Sequence, residues 1–463
     1  MRPGRFPPPV FRSAVLAASL LLAAALRAET PEPPEIPGWG RISLFGMGSR
    51  TTGDGYSTDF SDVSLAVTVR SPSNGNGGFD YGFDLRGETF PSTSERANRY
   101  SIYDAYVGAR TTGGRFGFRA GQMWLNELGA LGSVGGLLLD YRQHDPWAAG
   151  RLRVGVFGGL EPKILDAGYA KDVKKFGGYV ALDGDGARSH VLGFVQIRDA
   201  GLTERSVLTM TNFIPGGTTF FLYQGAEYDV EKPGGLAKAG LNYLFANVRW
   251  APASWIELQG LYHHGRSVDA RTITQDQLNG VPVDARTVEG FLFDSAGGRV
   301  TFRITPSLNV YAGYSRERDN RDDRSYGRTN LGLFAGNVLG SGLDVVVSDY
   351  RSDRPGGAFD SWYASIGRNL GPKLYVSADY STSLSRLTFV SGDVTIQSRP
   401  KTKRYSLYGL WNVDRHFSLM LTGEQLRDDT TRSNRVLLGL MYRFGIGRPP
   451  VSSRESRVGI PSP

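Results

Sequence analysis

The sequence of 463 residues contains no cysteine and only five histidines. The absence of cysteine excludes disulfides and thiolate metal sites. No run of 18 apolar residues occurs, so the sequence predicts no membrane-spanning helix. It also lacks an H-E-x-x-H pair, a P-loop and a G-x-S-x-G nucleophile elbow. We therefore expect this chain not to be an enzyme, and we predict no metal site and no cofactor.

The formal net charge is +8, from 53 Lys and Arg against 45 Asp and Glu. Much of this excess lies at the two ends of the chain. Arg2, Arg5, Arg12 and Arg27 stand in the first 28 residues, which contain no acid. The body of the chain is therefore close to neutral, and the basic balance does not indicate a nucleic-acid partner.

The N-terminal segment has the composition of a secretory signal. Arg2, Arg5 and Arg12 precede an apolar stretch over 13–26, and Ala28 supplies a small residue at a cleavage position. The sequence predicts a signal peptide over 1–28 and a proline-rich periplasmic lead-in over 29–39. It further predicts a β-barrel over 40–444 and a flexible periplasmic tail over 445–463.

The sequence is rich in glycine, tyrosine and phenylalanine, with 61 Gly, 22 Tyr and 24 Phe. After residue 39, segments of about 9–12 residues alternate between apolar and polar positions, and Gly, Pro, Asn or Asp separates them. In one such segment, Phe79, Tyr81 and Phe83 share a face opposite Asp80 and Asp84. The pattern predicts about 22 β-strands, within a range of about 20–24.

The connections between these segments alternate in length. Tight turns such as 111–114 and 305–307 alternate with longer polar connections such as 50–60, 265–292 and 384–402. Outer-membrane barrels place short turns in the periplasm and longer loops outside. The alternation therefore predicts that both ends of the barrel sequence are periplasmic.

A strand with one apolar face must bury that face. Lipid provides no water for an open sheet edge, so strands that face hydrocarbon must close into a ring. The charged face would then line a wet lumen, because burying these ions in a dry core would cost several kcal/mol each. The predicted lumen-lining charged residues are Asp80, Asp84, Arg86, Glu88, Asp104, Arg115, Arg119, Arg151, Arg153, Glu257, Arg404 and Glu424.

The last predicted strand carries Gly439, Tyr442 and Phe444. This spacing resembles the C-terminal assembly signal of bacterial outer-membrane β-barrels. Leu437 stands where that pattern usually has a polar residue, and the chain continues beyond Phe444. The resemblance to the porin-like class implies an all-β fold, a closed antiparallel transmembrane β-barrel. It also implies a location in the bacterial outer membrane, in contact with its lipid and with the barrel-assembly machinery.

The leading functional interpretation is a channel that passes polar solutes through a charged lumen. The alternative is a barrel that forms a sleeve around a periplasmic or extracellular protein, as in porin–cytochrome conduits, or an exit port for a polymer. Two other features have structural interpretations. The densely charged run over 316–324 is interpreted as a solvated external loop rather than a calcium site. His263 and His264 are adjacent on one strand, and therefore face opposite sides.

Overall fold

The computed structural model describes residues 38–445, except 73–76, 92–97, 145, 148–149, 164–166, 232–239, 284, 321–323, 355–356 and 392–393. The predicted signal peptide, residues 29–37 of the predicted lead-in and residues 446–463 of the predicted tail lie outside the described residues. Trp39, which the sequence assigned to the lead-in, is the first residue of the first strand.

Strands dominate the described part of the chain. They are β1 Trp39–Gly53, β2 Tyr56–Arg70, β3 Gly78–Thr89, β4 Arg99–Arg110, β5 Phe116–Trp124, β6 Ser133–Arg142, β7 Arg151–Pro162, β8 Tyr169–Asp183, β9 Ser189–Asp199, β10 Leu202–Gly216, β11 Phe220–Glu231, β12 Gly240–Ala253, β13 Ile256–Ser267, β14 Phe291–Thr305, β15 Leu308–Asp319, β16 Ser325–Ala335, β17 Leu343–Arg354, β18 Gly357–Leu370, β19 Leu374–Ser391, β20 Val394–Ser398, β21 Lys401–Asn412, β22 Phe417–Arg427 and β23 Thr431–Phe444.

Helices are short and lie in connections. The α-helices are α1, Ala270–Leu278, and α2, Ala285–Glu289, both between β13 and β14. Single 3₁₀ turns occur at Asn126–Leu131, Asp185–Ala187 and Val338–Gly340. Within the described ranges, no helix combines the length and the apolar character needed to cross a bilayer.

The strands form one closed antiparallel ring. Each pairs with its neighbours in sequence, and β1 pairs with both β2 and β23. The short β20 pairs with the outer end of β19 only, whereas β21 continues the ring. Without β20 the ring contains 22 strands, as the sequence predicted. Closure leaves no unpaired sheet edge, which is the condition for a sheet in lipid.

Aromatic rings lie over glycines at the seam between β1 and β23. Phe45 pairs with Gly439, and Gly40 pairs with Phe444. A Cβ atom on Gly439 would lie 2.7 Å from Phe45 Cε1, and one on Gly40 would lie 2.2 Å from Phe444 Cζ. Each glycine therefore provides the space for a ring from the partner strand, which helps to set the register in which the barrel closes.

Side chains alternate between two faces along every strand. On β6, Leu137 and Leu139 are 60% exposed on the outside, whereas Leu138 between them is 2% exposed. Leu407 on β21 and Leu421 on β22 are likewise more than half exposed. Such a continuous apolar outer wall would be unfavourable in water and is stable in hydrocarbon.

The first residue of β1 and the last residue of β23 lie at the same rim of the barrel, the rim that carries the tight turns. At the opposite side, the structure departs from the expected loop over 50–60. There β1 and β2 continue in register to a two-residue turn at Asp54 and Gly55. Gly55 adopts φ +79°, which a tight hairpin requires. Polar pairs such as Arg50 and Asp59, 3.7 Å apart, extend the ladder beyond the apolar wall.

The segment 384–402 also extends the sheet instead of forming a free loop, since β19 pairs with β20 and β21 along it. In contrast, the connection 125–132 and helix α1 fold inside the ring. The 3₁₀ turn at Asn126–Leu131 packs against β8, β9 and β10, and α1 packs against β9 and β10. Two segments of the chain thus occupy part of the lumen.

This inward folding adds an apolar sector to the inner face, beside its charged side chains. Leu128, from the 3₁₀ turn, is 1% exposed within a cluster that includes Val134, Leu138, Val195 and Val207. These side chains belong to inner faces of β6, β9 and β10. Because the inward segment brings apolar side chains with it, one sector of the lumen is a dry core.

Candidate functional site

All but one of the twelve predicted lumen residues lie within strands, on the face opposite the exposed apolar side chains. Arg115 lies in the turn between β4 and β5, at the end of the barrel where β1 begins and β23 ends. The remaining eleven lie within strands. They are Asp80, Asp84, Arg86 and Glu88 on β3, Asp104 on β4, Arg119 on β5, Arg151 and Arg153 on β7, Glu257 on β13, Arg404 on β21 and Glu424 on β22.

Ion pairs across β2 to β6 form the first charge network. Arg119 Nε donates to Asp80 Oδ2 at 2.6 Å, and Arg70 donates to Asp104. Arg110 on β4 donates to Asp140 on β6. The partners lie on nearby strands of the inner face, so each charge is matched by an opposite one. Arg70, Asp84, Asp104 and Arg119 line a cavity of about 370 Å³.

A second network connects the inward 3₁₀ turn to the wall. Arg153 on β7 donates to Glu127 in the 3₁₀ turn and to Asp183 on β8. Asp183 also accepts a hydrogen bond from Ser189 Oγ at 2.9 Å. Arg153 therefore links two strands and the connection 125–132, and its role in the fold includes holding that connection inside the ring.

The third network anchors α1. Arg271 Nε donates to Glu204 Oε2 at 2.6 Å, and its Nη2 donates to Glu161. Asp199 lies 3.7 Å from the same guanidinium, and Lys175 Nζ lies 3.3 Å from Glu161. Burial lowers the pKa of Arg271, but hydrogen bonds and charge from Glu204 and Glu161 outweigh it, so its pKa is raised. The helix is thus fastened to β7, β9 and β10.

Further pairs occur around the rest of the inner face. Arg303 Nη2 donates to Glu257 at 2.6 Å, and Arg404 Nε donates to Glu424 at 2.6 Å. Arg404 remains half exposed, so this pair lies beside open space rather than in a dry core. Within the described ranges, no group of three or more His, Asp or Glu side chains is arranged to hold a metal ion.

The adjacent histidines have separate surroundings. The ring of His263 lies 5.6 Å from Tyr243, 6.2 Å from Phe245 and 5.5 Å from Phe293. His264 Nδ1 lies 2.7 Å from Asp294 Oδ1 on the other face of the sheet. In the charged run over 316–324, Asp319 is the last residue of β15, and residues 321–323 lie outside the described residues.

Sequence reasoning missed several charged residues of these networks, including Arg70, Arg110, Asp140 and Asp183. Each is at or within two residues of a strand end, where alternation gives a weak signal. Arg271 was missed for a different reason, since it lies in a connection that was expected outside the barrel. Its neighbours Ala270, Ile273 and Thr274 are buried. Their small or apolar side chains were the one feature of the sequence that could have indicated a buried segment here.

No family model matches the chain, and no curated protein matches it. Among solved structures, the chain is similar to OpdQ from Pseudomonas aeruginosa, with 9% identity, 88% of this chain and 98% of that chain covered, and a TM-score of 0.42. It is also similar to OccAB4 from Acinetobacter baumannii, with 8% identity, 89% and 100% covered, and a TM-score of 0.41. The strand pairings establish the fold independently of these similarities.

The closed ring and its apolar outer wall determine the environment of the protein. Each described strand of the ring pairs with a strand on either side, and the outward side chains suit hydrocarbon. This is the architecture of barrels in the bacterial outer membrane, and it places the chain there.

Proposed function

We propose that this protein is an outer-membrane channel that passes polar solutes through its charged lumen. The observation that carries the proposal is the pairing of an apolar outer wall with an inner face crossed by ion pairs, as between Arg119 and Asp80. Charges on the inner face of a closed ring retain favourable hydration only where water occupies the lumen. A continuous column of water is the path for a polar solute.

The dimensions of the ring support passage as well. Barrels of 16 to 18 strands leave an aqueous channel, and a 22-stranded ring is wider. The connection 125–132 and helix α1 fill part of this width on the side of β6 to β10. The remaining space is bounded by the inner face from β11 around to β5, where Arg119 lines a cavity and pairs such as Arg404 and Glu424 stay partly exposed.

The inward segments favour small solutes over a protein or polymer held in the lumen. Arg271 fastens α1 to three strands, and Ile273 and Thr274 are the buried side chains of the same helix. A sleeve around a folded partner would require this segment to leave the lumen and expose those side chains. A solute much smaller than a protein passes beside it.

Planar-bilayer recording of the purified barrel tests the proposal. We expect stable steps of ion conductance. Arg119→Gln should shift the reversal potential in a salt gradient toward cation selectivity, and Asp80→Asn should shift it toward anion selectivity. Arg351→Gln is a matched control, because this arginine is two-thirds exposed on the outer face.

A folded barrel that never conducts would refute the proposed function. Equal reversal potentials for the two lumen variants and the parent would show that the ion path does not pass these residues. Heat-modifiable migration on a gel, which closed barrels show, verifies folding in every sample.

A further inference from the structure

The inner face of the barrel is chemically two-sided. From β2 to β8 it carries the ion pairs of Arg70, Arg119 and Arg153. From β17 to β22 it carries mainly serine, threonine and tyrosine. We name this second region the hydroxyl wall; its central side chains are Ser348, Tyr350, Ser361, Tyr363, Ser377 and Tyr408.

Strand register places these side chains inside the ring. Tyr408 pairs with Ser377 and Thr422, and Tyr363 pairs with Ser348. Their chain neighbours Leu407 and Trp362 are exposed on the outer wall, at 67% and 40%. The hydroxyl wall therefore faces the lumen, and its serines and tyrosines are partly exposed to it.

Few charges interrupt this wall. Along β18, which is described in full, every charged side chain faces outward. Arg404 and Glu424 neutralise one another at 2.6 Å. Asp379 accepts hydrogen bonds from Tyr363 Oη at 3.0 Å and from Ser406 Oγ at 2.8 Å. Asp379, Arg404 and Glu424 are thus already bonded within the wall.

Hydroxyl groups and tyrosine rings suit one class of solute. A hydroxyl both donates and accepts, so it replaces the water that a polyhydroxylated solute loses in a narrow space. Tyrosine adds an apolar ring face beside its polar tip. The rings of Tyr375 and Tyr408 lie 6.3 Å apart, and those of Tyr350 and Phe359 lie 6.0 Å apart. They provide ring faces at successive levels of the wall.

From this arrangement we infer that the hydroxyl wall is a path for neutral, polyhydroxylated solutes of the saccharide type. The inference rests on the proposed channel function and names a solute class for it. Several weak contacts in series are what conduction requires, because tight binding at one place would stop transport. The ion pairs on β2 to β5, across the open part of the lumen, then line the path of the ions.

Swelling of liposomes that contain the purified barrel tests this inference, with raffinose as the neutral saccharide. A polyethylene glycol of the same hydrodynamic radius is the control solute, since it has neither sugar rings nor hydroxyl groups along its chain. We expect faster swelling in raffinose than in the polymer. In planar bilayers, raffinose should cause brief current blocks that the polymer does not cause.

Tyr408 gives the decisive variants. Tyr408→Ala should shorten the raffinose blocks by about fivefold, the effect of losing about 1 kcal/mol of ring contact. Tyr408→Phe keeps the ring, and should retain most of the block duration. Tyr405→Ala is the matched control, because Tyr405 lies on the same strand and faces outward. It should leave the blocks unchanged.

The outcomes separate the inference from the function on which it rests. Ion conductance with equal permeation of raffinose and polymer would overturn the saccharide path and leave the channel intact. Unchanged raffinose blocks in Tyr408→Ala would do the same. Absence of any conductance from folded barrel would instead remove the channel function itself.

Discussion

The anchoring of α1 inside the barrel depends on one arginine, and its replacement gives a quantitative prediction. Arg271 contacts Glu161 and Glu204 and lies 3.7 Å from Asp199. Glu204 and Asp199 are each 7% exposed as side chains. Arg271→Gln would leave these acids with Lys175, 3.3 Å from Glu161, as the cation paired with them in the described part of the chain.

The size of the effect follows from burial. Removing one partner of a fully buried ion pair costs about 3–5 kcal/mol, because the other charge stays uncompensated. Arg271 is 32% exposed, so screening by lumen water reduces the cost to about 2 kcal/mol. A change of that size raises the population of the undocked segment by about 30-fold.

Cysteine labelling measures this population, because the chain has no cysteine of its own. Thr274 is fully buried on the side of α1 that faces the wall, and Thr274→Cys is a small change in volume. Its reaction with a hydrophilic maleimide requires local opening, so the labelling rate follows the opening equilibrium. We expect Thr274→Cys to react about 30-fold faster when Arg271→Gln is added.

Arg404→Gln is the matched control for lost lumen charge, since Arg404 lies on β21, away from α1. It should not alter the labelling rate. Equal rates for Thr274→Cys with and without Arg271→Gln, in folded barrels, would refute the reasoning. They would show that apolar contacts of Ile273 hold the segment without help from the ion pairs.

Three further predictions concern the same structure. Asp269 Oδ1 accepts from Thr272 N at 3.0 Å and caps α1, so Asp269→Ala should cost about 1 kcal/mol and speed labelling of Thr274→Cys about fivefold. Leu421→Arg, on the outer wall, should lower the free energy of unfolding by about 2–4 kcal/mol in lipid vesicles, whereas the inward Thr422→Arg should change it little. Hydrogen bonds from the Thr431 hydroxyl, then from Thr430 and Thr431 N–H groups, lower the pKa of Asp428 to about 2. Ionised Asp428 therefore contributes its full stabilisation of the turn 428–431 at pH values above its unfolded pKa of about 3.9. That contribution is lost as the pH falls through its folded pKa of about 2. An NMR titration of the Asp428 carboxyl group with a midpoint near pH 3.9 would contradict these hydrogen bonds.

The alternation of side chains predicted the barrel because it is a local property. On β3, Phe79, Tyr81 and Phe83 face outward while Asp80 and Asp84 face inward, as their order in the chain dictates. The number of such segments predicted the ring of 22 strands. Strand ends were less predictable, since polar ladders such as that of Arg50 and Asp59 continue pairing beyond the apolar wall.

The contents of the lumen followed from tertiary structure alone. Arg271 and Glu161 are 110 residues apart, and no local pattern relates them. The same holds for Leu128, whose burial depends on side chains from β8, β9 and β10. A period of two residues assigns each side chain to a face, but it does not specify what will cover that face. The sequence by itself therefore determined a closed wall with an apolar outside, whereas long-range contacts decided which part of its inside is dry core and which is open path.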